Sequence, residues 1–163
     1  MGHFFSSDYT SPSAVKSCIE RDILNSGYRI LAKGGAGREY YVATERNGER
    51  SITLYLIEQF EGEYSYKPIP ESFGPYYYNV PDKVLRAAPL SDDASESARN
   101  WRAAVAARKE RKARTFNKGQ AVTVYGKAYT IVGEYNRSKM LIRSIEDGKV
   151  YAGKKADIEF AND

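Results

Sequence analysis

Residues 71–81 read ESFGPYYYNVP, with three consecutive tyrosines, one glycine and two prolines. Strand-like sequence precedes this stretch, and helical and then further strand-like sequence follows it. Four prolines fall between residues 68 and 81, and proline breaks helices and is rare in central strands. The pattern therefore predicts that residues 61–81 form a long Tyr/Pro-rich loop without regular structure. Such loops are usually functional or disordered, and the aromatic content argues against disorder.

The sequence before this loop predicts one helix and a meander of strands. The helix is expected after Thr10 or Ser11, either of which can cap it, because apolar residues then recur at helical spacing. Asn47-Gly48 predicts a tight hairpin, since both residues tolerate a positive φ. Residues 51–60 are apolar on both faces for part of their length, so we expect this strand to be central in the sheet.

A short helix is predicted at residues 81–88, and a longer one from residue 93 onward. Asp93 is followed three positions later by Glu96, which matches a capping box. An apolar stripe with helical spacing follows it: Ala94, Ala98, Trp101 and Val105. Trp101 is the only tryptophan and is expected to anchor this helix on the first module.

The last part of the chain predicts a run of short strands. Gly126-Lys127 and Asp147-Gly148 indicate hairpin turns, and residues 158–160 form the closing strand. Five strands in about 45 residues are typical of a small SH3-like barrel, because closing the sheet removes its edges.

These patterns together predict an α+β protein with three parts. Residues 1–92 form an N-terminal helix on an antiparallel sheet, starting with a short strand or edge at 1–5 and including the loop at 61–81. Residues 93–115 form the long basic helix, and residues 116–163 form the SH3-like β module.

The net charge of +4 is unevenly distributed. Residues 1–98 carry 10 basic and 14 acidic side chains, whereas residues 99–118 carry eight basic side chains and one acidic one. A local basic block can contact nucleic acid or an acidic protein, and the alternative is a solvated helix end. The candidate contacts to phosphate or to an acidic partner are Arg102, Arg108, Lys109, Arg111, Lys112 and Arg114.

The chain has 14 tyrosines, and tyrosine can pack its ring while offering a hydroxyl at a wet surface. Two interpretations are open: the rings tie the loop to the sheet, or they contact a partner. Tyr76, Tyr77 and Tyr78 cannot all point inward from an extended backbone, so we expect at least one to face outward. The candidate partner contacts are Tyr64, Tyr66, Phe73, Tyr76, Tyr77 and Tyr78.

The sequence offers little for catalysis. His3 is the only histidine, and with Cys18 it supplies too few ligands for a structural zinc site. No nucleophile-elbow motif accompanies it, and the single cysteine fits a reducing compartment. A group of carboxylates near the loop can bind Mg²⁺ or do acid–base work, but a solvated acidic rim is favoured. It comprises Glu58, Glu61, Glu63 and Glu71. We therefore expect no enzymatic activity, no cofactor and no metal.

Several features together resemble an uncharacterised family of small proteins encoded by bacteriophages and other mobile elements. The likeness is carried by Met1-Gly2, by residues 71–78 followed by Pro81, by Trp101-Arg102 with its basic tail, and by the closing strand module. Only the motif at 71–81 is distinctive. The resemblance implies no known activity or catalytic residues, and it implies a setting in the cytoplasm of a bacterial host.

Small accessory proteins from such sources often bind and block host defence systems. The resemblance therefore implies a non-enzymatic inhibitor of a host defence nucleoprotein machine, of the anti-CRISPR or anti-restriction type. The net positive charge argues against simple DNA mimicry. The alternative is an accessory protein that binds nucleic acid directly through the basic helix and the β-barrel. No membrane contact is expected, because no apolar run is long enough to span a bilayer.

Overall fold

The computed structural model describes residues 11–161 and has a mixed α+β architecture, which confirms the predicted fold class. The strand predicted at 1–5, the alternative cap Thr10 and the residue His3 lie outside the described part. The chain divides into two compact units, Met1–Val105 and Ala106–Asp163, and the boundary falls inside the long helix.

The described part of the first unit, from residue 11 onward, contains two helices, four strands and most of a third helix. These elements are α1 Pro12–Asn25, β1 Arg29–Gly34, β2 Glu39–Arg46, β3 Glu49–Phe60, β4 Glu63–Pro70, α2 Asp82–Ala87 and α3 Glu96–Ala113. A short 3-10 turn at Glu71–Phe73 follows β4.

Helix α1 begins as the sequence predicts. The Ser11 hydroxyl accepts a hydrogen bond from the Ala14 amide at 3.1 Å, and Pro12 occupies the first turn, where its missing N–H costs nothing. The helix buries Val15, Cys18, Ile19 and Ile23 against one face of the sheet, next to Tyr40, Val42, Ile57 and Tyr66.

The four strands form an antiparallel sheet in the order β1-β2-β3-β4. The predicted hairpin is confirmed, because Asn47 and Gly48 join β2 to β3 with φ values of 54° and 81°. Strand β3 pairs with β2 on one side and with β4 on the other, so its predicted central position is confirmed as well.

The prediction of an irregular loop over the whole of residues 61–81 is wrong for its first part. Residues 63–70 form β4, which pairs with β3 along its full length. Glu61 and Gly62 make the connecting turn with positive φ values, in the same way as Asn47 and Gly48. The strand tolerates Pro68 and Pro70 because it lies at the edge of the sheet, where no other strand within residues 11–161 pairs with its outer amides.

The opposite face of the sheet is covered by α2 and the first part of α3. Their buried residues Val84, Ala98, Trp101 and Val105 confirm most of the predicted stripe, and Ala94 is half-buried. Val84, Trp101 and Val105 pack against Tyr41, Ala43, Ile52 and Leu54, so the sheet lies between two helical layers. This explains why residues 40–44 are buried without interruption.

The predicted cap of α3 at Asp93 is wrong. The Ser95 hydroxyl accepts the hydrogen bond from the Ala98 amide at 3.1 Å, and α3 begins at Glu96. Asp93 instead accepts a hydrogen bond from the Ser91 hydroxyl. Serine and aspartate are both favourable N-cap residues, so the local sequence does not show whether Ser95 or Asp93 caps α3.

The second unit contains the end of α3 and five strands, the number expected from the sequence. The strands are β5 Ala121–Val124, β6 Lys127–Glu134, β7 Lys139–Ser144, β8 Val150–Lys154 and β9 Ile158–Phe160. They form an antiparallel sheet in the order β8-β7-β6-β5-β9, over a core of Val122, Ile131, Met140, Ile142 and Ile158. The first turn is made by Tyr125 and Gly126, one residue earlier than predicted.

We predict that Trp101→Ala lowers the free energy of unfolding by about 3–5 kcal/mol, because the indole ring is 3% exposed. The matched control is Tyr125→Ala, since that ring is 83% exposed and its removal should leave stability nearly unchanged. Denaturant unfolding measures both. Equal midpoints for Trp101→Ala and the parent protein would show that the indole contributes nothing to this core.

We also predict a loss of stability in alkali. Burial raises the pKa of Tyr40, Tyr41 and Tyr55, that of Tyr55 to about 12, and hydrogen bonds to Glu20 and Glu39 raise the first two further. Unfolded tyrosine loses its proton near pH 10, so above that pH the folded state holds more protons than the unfolded state. The free energy of unfolding should therefore fall as the pH rises from about 10 to 12.

The variant Tyr55→Phe removes one of these titrating groups and should flatten the alkaline decline. Urea unfolding at a series of pH values measures the slope for both proteins. An identical slope in the variant would mean that Tyr55 titrates alike in the folded and unfolded states.

Candidate functional site

Two large rings of the 71–81 stretch lie on the surface. Phe73 is 75% exposed and Tyr76 is 88% exposed, and we call this pair the aromatic platform. Tyr77 and Tyr78 are half-buried and pack against the core that contains Trp101. The expectation that at least one of the three tyrosines faces outward is confirmed by Tyr76.

The start of the stretch is fixed by the buried side chain of Glu71. Its Oε1 accepts a hydrogen bond from the Ile52 amide of β3 at 2.9 Å. Arg102 of α3 donates to both carboxylate oxygens, at 2.7 and 3.2 Å, and also to the Ala88 carbonyl at 2.6 Å. The Glu71–Arg102 pair thus joins a central strand, α3 and the end of α2 through charge-assisted hydrogen bonds.

This ion pair changes the predicted roles of two residues. The Arg102 side chain is only 13% exposed, so it is a structural group and does not belong to a phosphate-binding surface. The Glu71 side chain is 9% exposed and separate from the predicted acidic rim. A buried carboxylate needs a charged or hydrogen-bonding partner, and Arg102 satisfies this need.

The turn between the two platform rings is held by the backbone. The Gly74 amide donates to the Glu71 carbonyl at 2.9 Å, and Gly74 has a φ of 66°. A Cβ at this position would lie 3.3 Å from the Ser97 carbonyl oxygen of α3, so glycine fits both the conformation and the space. The Ser95 hydroxyl also donates to the Ser72 carbonyl at 3.0 Å.

The second half of the stretch is fixed by side chains from the sheet and α3. The Trp101 indole N–H donates to the Tyr77 carbonyl at 2.8 Å. The Asn79 amide donates to Glu39 at 3.3 Å, and the Tyr41 hydroxyl donates to the same carboxylate at 2.6 Å. The platform is therefore supported on both sides of Tyr76 by bonds to the sheet and to α3.

Two of the six predicted partner contacts lie on β4, away from the platform. Tyr66 is 4% exposed, and its hydroxyl donates to Asp22 of α1 at 2.7 Å, so it is a core residue. Tyr64 is half-buried and packs against the same core beside α1. Tyr77 and Tyr78 pack instead against the core on the other face of the sheet. Four of the six candidates thus divide between the two faces of the sheet, and the other two, Phe73 and Tyr76, are widely exposed.

The basic end of α3 belongs to the second unit, and Arg111 and Arg114 both contact the end of the chain's last sheet. Arg111 pairs with Glu159 at 2.6 Å. Arg114 donates to the Lys155 and Ile158 carbonyls, and its guanidinium lies 5.5 Å from the ring centres of both Phe116 and Phe160. These contacts of Arg114 therefore connect the chain at the end of α3 to β9.

Arg108, Lys109 and Lys112 belong to the same segment. Arg108 and Lys112 are exposed and one helical turn apart. Burial lowers the pKa of the Lys112 ammonium group, and the neighbouring positive charges of Arg108 and Lys109 lower it further. These three side chains form a crowded positive cluster, which a bound anion would stabilise.

The described residues contain no group of three or more His, Cys, Asp or Glu side chains that could hold a metal ion. Glu61 and Glu63 are exposed at the β3–β4 turn, Glu58 is half-buried on β3, and Glu71 is paired with Arg102. Within residues 11–161, no helix is both long and apolar enough to cross a membrane.

Sequence reasoning identified the 71–81 stretch but missed the residues that support it. Glu39, Ser95 and Ser97 come from distant segments, and no local pattern marks them. Comparison of the chain with protein-family models, with curated proteins and with solved structures finds no match.

Proposed function

We propose that this protein is a non-enzymatic binding protein that captures a protein partner through the aromatic platform. The observation that supports this proposal is the exposure of Phe73 and Tyr76 on a backbone that is hydrogen-bonded on both sides of them. Large exposed aromatic rings are costly to leave in water, and they are efficient contacts when a partner covers them.

The ordered backbone of the 71–81 stretch should increase the affinity for a partner. Ordering a loop on binding opposes association, and a loop that is already ordered avoids this cost. Tyrosine and phenylalanine also have few side-chain rotamers to lose, so most of the gain from burying their rings is retained. These features favour a specific partner surface over non-specific adhesion.

We propose that the partner is a host defence nucleoprotein machine, such as a restriction or CRISPR complex, inside a bacterial cell. This part of the proposal is supported by the resemblance to phage and mobile-element proteins in the 71–81 motif. An inhibitor of such a machine needs a binding surface and no catalytic group, which agrees with the platform.

For the second unit we propose a small SH3-like barrel. The order β8-β7-β6-β5-β9 supports it, because the last strand returns to pair with the first. The 3-10 turn at Lys155–Asp157 immediately before β9 gives the chain the sharp change of direction that such a return requires.

We predict that Phe73→Ala and Tyr76→Ala each weaken partner binding by more than about 1 kcal/mol, or roughly fivefold, with little change in melting temperature. The reason is that both rings lie in solvent in the free protein. Affinity capture from lysate of a defence-proficient bacterium, with and without nuclease, followed by titration of the captured partner, measures the effect.

The matched control is Tyr125→Ala, which removes an equally exposed tyrosine from the second unit and should leave capture unchanged. Tyr78→Ala removes a half-buried ring and should lower the melting temperature instead. A defence assay in cells completes the test: the parent protein should restore phage plating, and Tyr76→Ala should not. Full capture and full protection by both platform variants would refute the proposal.

A second function is favoured by the positive cluster of Arg108, Lys109 and Lys112. We propose that it contacts nucleic-acid phosphates directly, since Arg108 and Lys112 are exposed one helical turn apart and a phosphate would offset their mutual repulsion. Arg111 and Arg114 contribute less, because Glu159 and two carbonyl groups hold them.

We predict that Arg108→Gln with Lys112→Gln reduces the salt dependence of duplex DNA binding by about 1.8 in the slope of log affinity against log salt, at about 0.9 per phosphate. Fluorescence anisotropy over a range of salt concentrations measures this slope. The control Lys118→Gln with Lys127→Gln removes the same charge elsewhere in the unit. A slope that falls equally in both variants would show that only net charge matters.

A further inference from the structure

We infer that the outer face of the second sheet binds single-stranded nucleic acid at a site separate from the helix cluster. This inference rests on the second proposed function, direct binding of nucleic acid, and extends it to another surface. It concerns the face of β6, β7 and β8 that points away from Ile131, Met140 and Ile142. We call it the cationic sheet face, and its defining residues are Tyr135, Lys139, Arg143 and Lys154.

The strand register brings these residues together. Lys139 of β7 lies directly opposite Lys154 of β8, so their side chains share one face. The Tyr135 amide donates to the Lys139 carbonyl at 3.2 Å, which places Tyr135 on the other side of Lys139. Tyr135, Lys139 and Lys154 therefore form one row across the sheet, with one aromatic ring and two ammonium groups.

A second row lies farther along the same face. Arg143 is four residues from Lys139 on β7, roughly 14 Å away at the rise of an extended strand. It pairs with Val150 of β8, and Leu141 pairs with Ala152 between the two rows. The face therefore has cations at both ends and apolar side chains between them.

The charges on this face are not neutralised within the described chain. No carboxylate among residues 11–161 forms an ion pair with Lys139, Arg143 or Lys154. Two like charges directly opposite each other destabilise an antiparallel pair. A bound polyanion would remove this repulsion, so the arrangement favours an anionic ligand.

The apolar and aromatic side chains beside the cations determine which anion fits. Tyr135 is 58% exposed and Val150 is 44% exposed, so both can be covered by a flat apolar surface. Bases of a single strand can stack on such side chains while the phosphates reach the flanking cations. A duplex hides its bases, and an acidic peptide has no comparable flat rings, so a single strand fits this face best.

Titration of the full-length protein with labelled oligo(dT) and oligo(U) of about 12 nucleotides tests the site, with anisotropy read over a range of salt concentrations. The variant Lys139→Gln, Arg143→Gln, Lys154→Gln should weaken binding and lower the salt slope by about 2, at roughly 0.7 per phosphate. Tyr135→Ala should weaken binding at least about fivefold with an unchanged slope, because it removes stacking and no charge.

Two controls separate this site from its alternatives. The variant Lys118→Gln, Lys127→Gln, Lys149→Gln removes the same charge outside the face and should retain single-strand affinity. The variant Arg108→Gln, Lys112→Gln should lose duplex binding while retaining most single-strand binding, so the two sites can fail independently. The melting temperature of the face variant should not fall, since removing opposed lysines relieves repulsion.

Unchanged single-strand affinity in the face variant would overturn the inference, even if the helix variant loses duplex binding. Equal losses in the face variant and in its charge-matched control would overturn it too. Absence of binding to either oligonucleotide at low salt would do the same. The inference is supported if only the face variant and Tyr135→Ala lose affinity for oligo(dT), for oligo(U) or for both.

Discussion

The buried contact between Glu71 and Arg102 is the interaction on which the first unit depends. A carboxylate that is removed from water is costly, and here it is compensated by two guanidinium bonds and one backbone amide. These bonds connect β3, the 3-10 turn and α3, which are far apart in the sequence. Breaking the pair would leave an uncompensated charge in the interior, so removing one partner is more harmful than replacing both.

The same contact explains why a sequence with so many prolines can present two exposed rings in a defined position. Gly74 follows Glu71 closely and must turn in the left-handed region beside α3. Trp101, one residue before Arg102, then secures the backbone after Tyr76. One turn of α3 therefore supports both sides of the platform.

Much of the fold could be predicted from local patterns. The α1 cap at Ser11, the Asn47-Gly48 turn and most of the stripe around Trp101 are determined by neighbouring residues, and these predictions are confirmed. Strand β4 was missed because its prolines suggested a loop, and only its pairing with β3 shows that an edge position tolerates them. The outward orientation of Tyr76 was predictable from the sequence. The burial of Tyr66 and Arg102 was not, because it depends on their distant partners, Asp22 and Glu71.

The two prolines of β4 have a consequence for solubility. An open sheet edge can recruit the edge of another molecule, which leads to aggregation. Pro68 and Pro70 lack amide hydrogens, so the last part of this edge offers fewer donors to an incoming strand. The protein can thus expose Phe73 and Tyr76 a few residues later while the neighbouring strand resists self-association through its edge.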